Sequence, residues 1–474
     1  MEVSGKRVLL ISPERHFHMD NEMYPSGALL LLGTLLQNRG HIVKIVHMVA
    51  DKVTMESIQP IVTDFNPEIV GLTVSTFQTK HTKILTKYIK THNEKMQIVI
   101  GGPHPSALKQ DALKDFPYVD IAVLGEGEKS FVEIVEEVPF HQINGICYRE
   151  GSRVITNSPS LLLQELDTLP FPDLNFANLS RYSGPYPLGR RPGMFIMASR
   201  GCPFGCTFCS KSIYGSAVRY HSPDYVISLV EYLNKSFGVK EVFFQDDTFN
   251  LNRAWTENIL HRIIRSGLNK TMIFRTPFRV NEKLVDRELL KLMQEAGFWL
   301  IFYGVENGNQ DMLDRMKKGI TVEEVKRAFK LTHEEGIKTE AAFIIGLPGE
   351  TEATIKDSIQ LWRNIKPYRA GFSRAIPFPD TAFEREARMM GNIIYKDYDE
   401  YAPDKMMVRT EALTAEQLEK WAQYCSKLSF LDTTRILITH PIELYRAIKD
   451  VGAKGISARL LRLGFQRPDR SSIV

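Results

Sequence analysis

Along residues 6–140, short apolar runs alternate with amphipathic stretches, the pattern of a parallel sheet with helices on both faces. Residues 8–11 read as a buried strand, and 25–39 as a helix opened by Pro25 and closed by Gly40. The segments 42–48, 68–74, 97–100 and 119–124 supply four more strands, with helical stretches between them. Five strands in βα alternation predict a doubly wound, Rossmann-like fold, in which ligands bind where strand carboxyl ends meet helix starts. From 193 to 380 the alternation restarts, with strands at 194–198, 241–245, 272–276, 299–304, 339–345 and 371–376. Six such units predict a partial (β/α)6 barrel of the triose-isomerase type, with its chemistry at the strand carboxyl ends.

The stretches outside these patterns are distinct. In 141–190, the segments 143–149 and 153–156 read as a hairpin, followed by a proline-punctuated linker at 167–173. Beyond 390, Thr414-x-x-Gln417 is a capping box. It opens a helix whose apolar face carries Leu418, Trp421, Cys425 and Leu428, with Cys425 read as core. The α/β chain thus divides into 1–140, a hairpin and linker at 141–190, a barrel at 191–389 and a mostly helical region at 390–474. A length of 474 residues agrees, being too long for one ordinary core.

Composition narrows the function classes. Lys+Arg 60 against Asp+Glu 56 leaves a net charge of +4, which argues against a dedicated nucleic-acid binder. No apolar run reaches the roughly 18 residues of a membrane span. Sparse cysteine and no recognisable signal peptide argue against a disulfide framework and fit a reducing cytoplasm. The segment 454–470 carries five Lys and Arg interleaved with Leu and Phe. It reads as a helix docked on its own protein, with peripheral membrane contact as the alternative.

Three of the five cysteines fall in 199–210: Cys202, Cys206 and Cys209. Thiolates this close suit a soft metal centre or an iron–sulfur cluster. Gly201 and Gly205 would let the backbone wrap tightly, and Phe204 and Phe208 would keep water from the sulfurs. Structural zinc would want a fourth ligand, for which His221 is the nearest candidate. Other strand ends also carry polar groups. In the first region these are Ser12 and Pro13; Ser75, Thr76 and Phe77; Gly101, Gly102, Pro103 and His104; and Gly125, Glu126 and Gly127. In the second they are Gln245, Asp246 and Asp247; Arg275, within reach of a substrate or ligand carboxylate; Gly304 with Glu306; and Ile344, Gly346 and Leu347.

The Cys-x3-Cys-x-aromatic-Cys pattern of Cys202, Cys206, Phe208 and Cys209 resembles that of the radical S-adenosylmethionine (SAM) enzymes. The resemblance implies a 4Fe-4S cluster on the three cysteines, with SAM chelating the open iron through its amine and carboxylate. It further implies that Gln245, Asp246 and Asp247 grip the methionyl amine and that Glu306 after Gly304 accepts ribose hydroxyls. Ile344, Gly346 and Leu347 would receive the adenine, although Ala342 replaces the first glycine of that segment. Together with this motif, the upstream loops resemble the cobalamin-binding domain that precedes many such barrels. Those at 75–77, 101–106 and 125–127 would embrace the corrin and its nucleotide tail.

None of the twelve histidines lies in Asp-x-His-x-x-Gly, so no histidine is expected on cobalt. His16, His18 and His104 read as solvated loop residues. A methylthiotransferase would need three cysteines in the first region, where only Cys147 is near. The resemblance therefore implies a cobalamin-dependent radical SAM C-methyltransferase of class B type. It would methylate an unactivated carbon through a 5′-deoxyadenosyl radical and methylcobalamin. The alternatives are radical rearrangement, cyclisation or carbon–carbon coupling without methyl transfer, and a non-enzymatic corrinoid or electron-transfer protein. Expected partners are a small-molecule, peptide or lipid substrate and an electron donor such as flavodoxin or ferredoxin.

Overall fold

The computed structural model describes residues 5–15, 22–182 and 189–439, with side chains to residue 430. His16, His18 and the basic segment 454–470 lie outside the described residues. Strands β1 (Arg7–Ser12), β2 (Ile42–His47), β3 (Ile69–Thr73), β4 (Gln97–Gly101) and β5 (Ile121–Val123) run parallel in the order β2-β1-β3-β4-β5. Their residues are apolar on both faces because helices cover both. Leu9, Ile11, Val70 and Ile98 pack with Ile58, Val62, Leu85 and Ile89 from the helices Ile58–Phe65 and Thr79–His92. Val8, Leu10, Ile69 and Val99 face the helices Gly27–Gln37 and Glu128–Val135.

The expected hairpin forms as β6 (Ile146–Glu150) and β7 (Arg153–Thr156), but it does not stand apart in a connector. β6 pairs antiparallel with β5, so the hairpin extends the first sheet to seven strands. Arg149 fastens it there by donating to the carbonyls of Val119, Leu113 and Phe116. Cys147 is fully buried in that sheet.

Strand β8 (Gly193–Ile196) begins the second sheet. A short antiparallel pair follows, β9 (Ser199–Arg200) with β10 (Arg219–Tyr220). Then come β11 (Glu241–Phe244), β12 (Ile273–Phe278), β13 (Phe298–Glu306), β14 (Lys338–Ile345) and β15 (Arg369–Arg374). With β8 they form a six-stranded parallel sheet in the order β15-β14-β13-β12-β11-β8. The apolar cluster of the first sheet's inner face runs without a break into Met194, Ile196, Val242 and Phe244.

The last described region closes over both sheets. Helix Ala415–Thr439 packs on β15, where Arg374 holds Glu419 at 2.5 Å and Leu418 and Cys425 are buried. Before it, Asp399 meets Lys83 of the first sheet's helix at 3.0 Å. Among the described residues no helix is long and apolar enough to cross a membrane.

Candidate functional site: the strand carboxyl ends and the cysteine loop

The cysteine loop leaves β9 and returns as β10, so the Arg200–Arg219 and Ser199–Tyr220 pairs clamp its two ends. Gly201 sits at φ +91, and a Cβ there would overlap the Ala217 carbonyl. Gly205 has no such constraint: a Cβ would meet nothing within 4 Å. Only the first glycine serves the tight turn. The loop's middle is held on both sides, since Thr207 N–H donates to the Met316 carbonyl (3.0 Å) and Phe383 N–H to the Thr207 carbonyl (2.9 Å).

Cys202 and Cys209 line a cavity with Pro103, Lys211, Ile213, Tyr214 and Asp247. Cys202 Sγ lies 3.7 Å from Thr248 Oγ1, and Cys206 Sγ lies 3.9 Å from Arg279 Nη1. Although Cys209 reaches solvent, surrounding protein pushes its thiol up to about 11, and Cys206, Asp247 and Cys202 push the same way. Three neighbouring thiolates therefore need a cationic centre between them. Among the described residues no three His, Cys, Asp or Glu side chains converge as on one ion. A cluster does not ask for that, because each thiolate binds a different iron. His221 is taken elsewhere: its Nδ1 is 3.0 Å from Asp167 and its ring stacks on Tyr225. The donor set fits a three-cysteine cluster and gives zinc no fourth ligand.

The barrel strand ends sort the other candidates. Asp246 is buried beneath the loop, accepting from Ser199 Oγ at 2.5 Å and Ala198 N–H at 3.3 Å. Burial pushes its carboxyl up to about 7. It braces the turn into the loop and is not free to grip an amine. Asp247 and Gln245 are exposed at the barrel mouth, and Asp247 accepts from the Gly201 amide. Arg275 corrects a further expectation, because β12 continues to Phe278 and makes it an interior residue. It is 4% exposed, stacks on Phe243, pairs with Glu241 at 3.1 Å and donates to Tyr24 Oη at 2.8 Å. Arg279, beyond the strand, stands near the cysteines instead.

Glu306 has positive φ (+67) and accepts from Lys318 Nζ at 2.6 Å, both side chains being nearly buried. A Cβ on Gly304 would meet that same pair, which accounts for the glycine. Lys318 was not foreseen: it is separated from Glu306 by a helix and lies in no recognisable motif. Gly346, at φ +103, gives its N–H to Glu350, which also accepts from Asn307 Nδ2 at 2.9 Å. One buried carboxylate thus ties the turn after β14 to the turn after β13. Leu347 is buried, Ile344 is half-buried, and Met406 of the last region covers Gly346.

In the first sheet, a largely apolar cavity opens between the strand ends and helix Gly27–Gln37. Gly101, Gly102, Gly125, Glu126 and Gly127 line it, with Leu32, Phe131 and, from the cysteine loop, Ile213 and Tyr214. Gly102 is at φ +108, and a Cβ would come 3.0 Å from the Val74 carbonyl. Ser12, Pro13, Ser75, Thr76, Phe77 and His104 are not in this lining. Gln78 knits the first loops together by bonding Ser75 and the Pro13 carbonyl, and Phe77 packs edge-on against Phe378 of the barrel.

His104 is not solvated. It is fully buried, 3.1 Å from Thr76 Oγ1 and 3.6 Å from Asp115, with Tyr398 and Phe116 against its ring. Burial lowers its pKa, which leaves it a neutral packing group. Glu126 is equally committed to protein. It accepts from Arg200 (2.7 Å), Arg219 (2.8 Å) and the Leu163 amide (2.9 Å), so its carboxylate ties the cavity wall to the cysteine loop. The apolar cavity with glycine lips fits the planar and nucleotide parts of cobalamin, and no described histidine lines it.

The pattern of the Radical SAM superfamily matches residues 196–361, and that of the B12 binding domain matches residues 18–135. An uncharacterised methyltransferase of Pyrococcus horikoshii is 29% identical over 468 residues, covering 97% of this chain and 99% of that one. An anaerobic magnesium-protoporphyrin IX monomethyl ester cyclase of Cereibacter sphaeroides is 27% identical over 422 residues, covering 87% of this chain and 68% of the cyclase. The solved structure of the cobalamin-dependent S-adenosylmethionine radical enzyme OxsB with aqua-cobalamin bound shares the fold. Its TM-score is 0.71 at 18% identity, over 97% of this chain and 76% of that one. With the cysteine loop, the barrel and the glycine-lipped sheet in place, this chain carries a B12-binding domain followed by a radical SAM domain.

Proposed function

We propose that this chain is a cobalamin-dependent radical SAM methyltransferase acting on an unactivated carbon of a small molecule. The observation that carries the reading is a shared wall. Ile213 and Tyr214 line both the B12-domain cavity and the cavity of Cys202 and Cys209, and Pro103 joins the latter from the B12 side. When bound, the cluster with SAM supplies a hydrogen-abstracting carbon radical, and cobalamin supplies a methyl group; the protein's share is binding and orientation. In this reading Cys202, Cys206 and Cys209 hold the cluster. Asp247 and Gln245, exposed at the mouth, take the SAM amine. Glu306, steadied by Lys318, takes the ribose, and the turn at Gly346 takes the adenine. Gly101, Gly125 and Gly127 keep the corrin side open, where a Cβ would meet nothing nearer than 3.7 Å, and Gly102 makes a turn that a Cβ would block against Val74. A low-potential one-electron donor completes the set.

The P. horikoshii relative, matched almost end to end and named a methyltransferase, supports this reading. Cyclisation is the second reading, favoured by the cyclase relative. Co-product analysis separates the two. Methyl transfer is expected to release 5′-deoxyadenosine and S-adenosylhomocysteine in about equal amounts while product mass rises by one methylene. Sustained turnover with 5′-deoxyadenosine and no S-adenosylhomocysteine would sink the first reading.

A further inference from the structure

Arg279 is 7% exposed, and Asn250 fixes its backbone from both sides: Asn250 Oδ1 accepts from Arg279 N–H (3.2 Å) and Asn250 Nδ2 donates to its carbonyl (3.1 Å). Its guanidinium lies 3.5 Å over the Phe204 ring, between two cysteines of the loop. Nε donates to Asn281 Oδ1 (3.0 Å), Nη2 donates to the Lys318 carbonyl, and Nη1 points at Cys206 Sγ, 3.9 Å away. Among the described residues no carboxylate pairs with it. A buried guanidinium without an anion is costly, yet the Phe204 ring, Asn281 Oδ1 and the Lys318 carbonyl hold this one in place. The group it faces is the Cys206 sulfur, which carries negative charge once it is a cluster ligand.

We infer that Arg279 is the counter-charge of the cluster, a positioning residue that acts through Cys206 and eases the cluster's one-electron reduction. The inference rests on the reading that Cys206 is a cluster ligand. Reduction brings in one electron, with no proton taken up and no bond made or broken, so the site becomes one charge more negative. A fixed positive charge donating to a ligand sulfur stabilises that state over the oxidised one, the more so where water is excluded. Lys318 is turned away toward Glu306, so the two buried cations of this corner have separate tasks.

The test is a redox titration of the anaerobically reconstituted full chain, with dithionite as reductant and the paramagnetic reduced cluster as signal. Arg279→Gln is expected to hold iron but to be at least tenfold harder to reduce, about 59 mV lower for one electron. Arg279→Lys, which keeps the charge, is expected to recover part of that shift. An Arg279→Gln protein with full iron and the parent's midpoint would overturn the inference. Should Arg279→Gln not load iron, parent protein labelled with ¹⁵N-arginine decides alone. Hyperfine coupling of guanidinium nitrogen to the reduced cluster supports the assignment, and its absence defeats it. Iron retained in Cys206→Ala would instead overturn the ligand reading itself.

Discussion

Cys147 and Cys425 carry the same sulfur as Cys206 in different surroundings. Both are fully buried, and burial pushes their thiols up to about 11 and about 12, so they stay protonated and pack as small apolar groups. Cys147→Ala and Cys425→Ala are expected to leave iron content unchanged at a cost of about 1 kcal/mol each, whereas Cys206→Ala abolishes the cluster. Iron analysis and visible absorbance read both results. Glu350 offers a test by pH. Burial pushes its carboxyl up to about 7, against the opposing pull of the Gly346 amide and Asn307. A folded pKa above the unfolded one means that the native state binds the extra proton. Stability from this group is therefore present at low pH and declines as pH rises from 4.5 toward 7. Chemical denaturation should show the advantage of the parent over Glu350→Gln shrinking across that window, by on the order of 2–3 kcal/mol. A pH-independent difference would mean that Glu350 ionises normally.

The turn after β5 and the loop between β9 and β10 are joined by a buried ionic knot in which Glu126 meets Arg200 and Arg219, and Glu128 meets Arg200 at 2.7 Å. Removing one member leaves charge stranded, so Glu126→Ala should destabilise the fold by about 3–5 kcal/mol. Arg287→Ala, breaking an exposed pair with Glu334 and Glu335, should cost less than about 1 kcal/mol. Equilibrium unfolding of the two variants checks the contrast. The knot also marks how far sequence reading reaches. The strands were legible because runs of Val, Ile and Leu buried on two faces leave a continuous apolar signature. Gly-Glu-Gly at a strand end has the form of a ligand loop, and it does line the cavity, but the ionic role of Glu126 is not written there. Its true partner, Arg200, stands 74 residues away, and no local pattern announces it. Arg275 looks like a strand end when the strand is bounded at 272–276, yet β12 carries on through Pro277 to Phe278 and leaves it in the interior. The cysteine loop was legible for the opposite reason: its ligands are neighbours in sequence.

Across the whole molecule, the proposed chemistry has two places where SAM is consumed, and they can be disturbed separately. Gly102→Val adds a branched side chain at φ +108, against the Val74 carbonyl on the B12 side. It should reduce S-adenosylhomocysteine several-fold more than 5′-deoxyadenosine, read by chromatography of both co-products; equal losses would argue against separate places. The two halves should nonetheless unfold together. Helix Gly27–Gln37 of the first sheet and strand β8 of the second share one apolar cluster, and Gly27 lies so close to the Phe195 ring that a Cβ would come within 2.8 Å. All four tryptophans, at 255, 299, 362 and 421, report from the barrel side. Their fluorescence should therefore lose native signal at the same denaturant concentration as a label placed on the first sheet. That unbroken cluster also limits how such an enzyme can be recombined. The B12 half is no interchangeable cassette: any graft between relatives must carry both sides of the Gly27–Phe195 seam, or the new chimera inherits a mismatched interior where each parent had none.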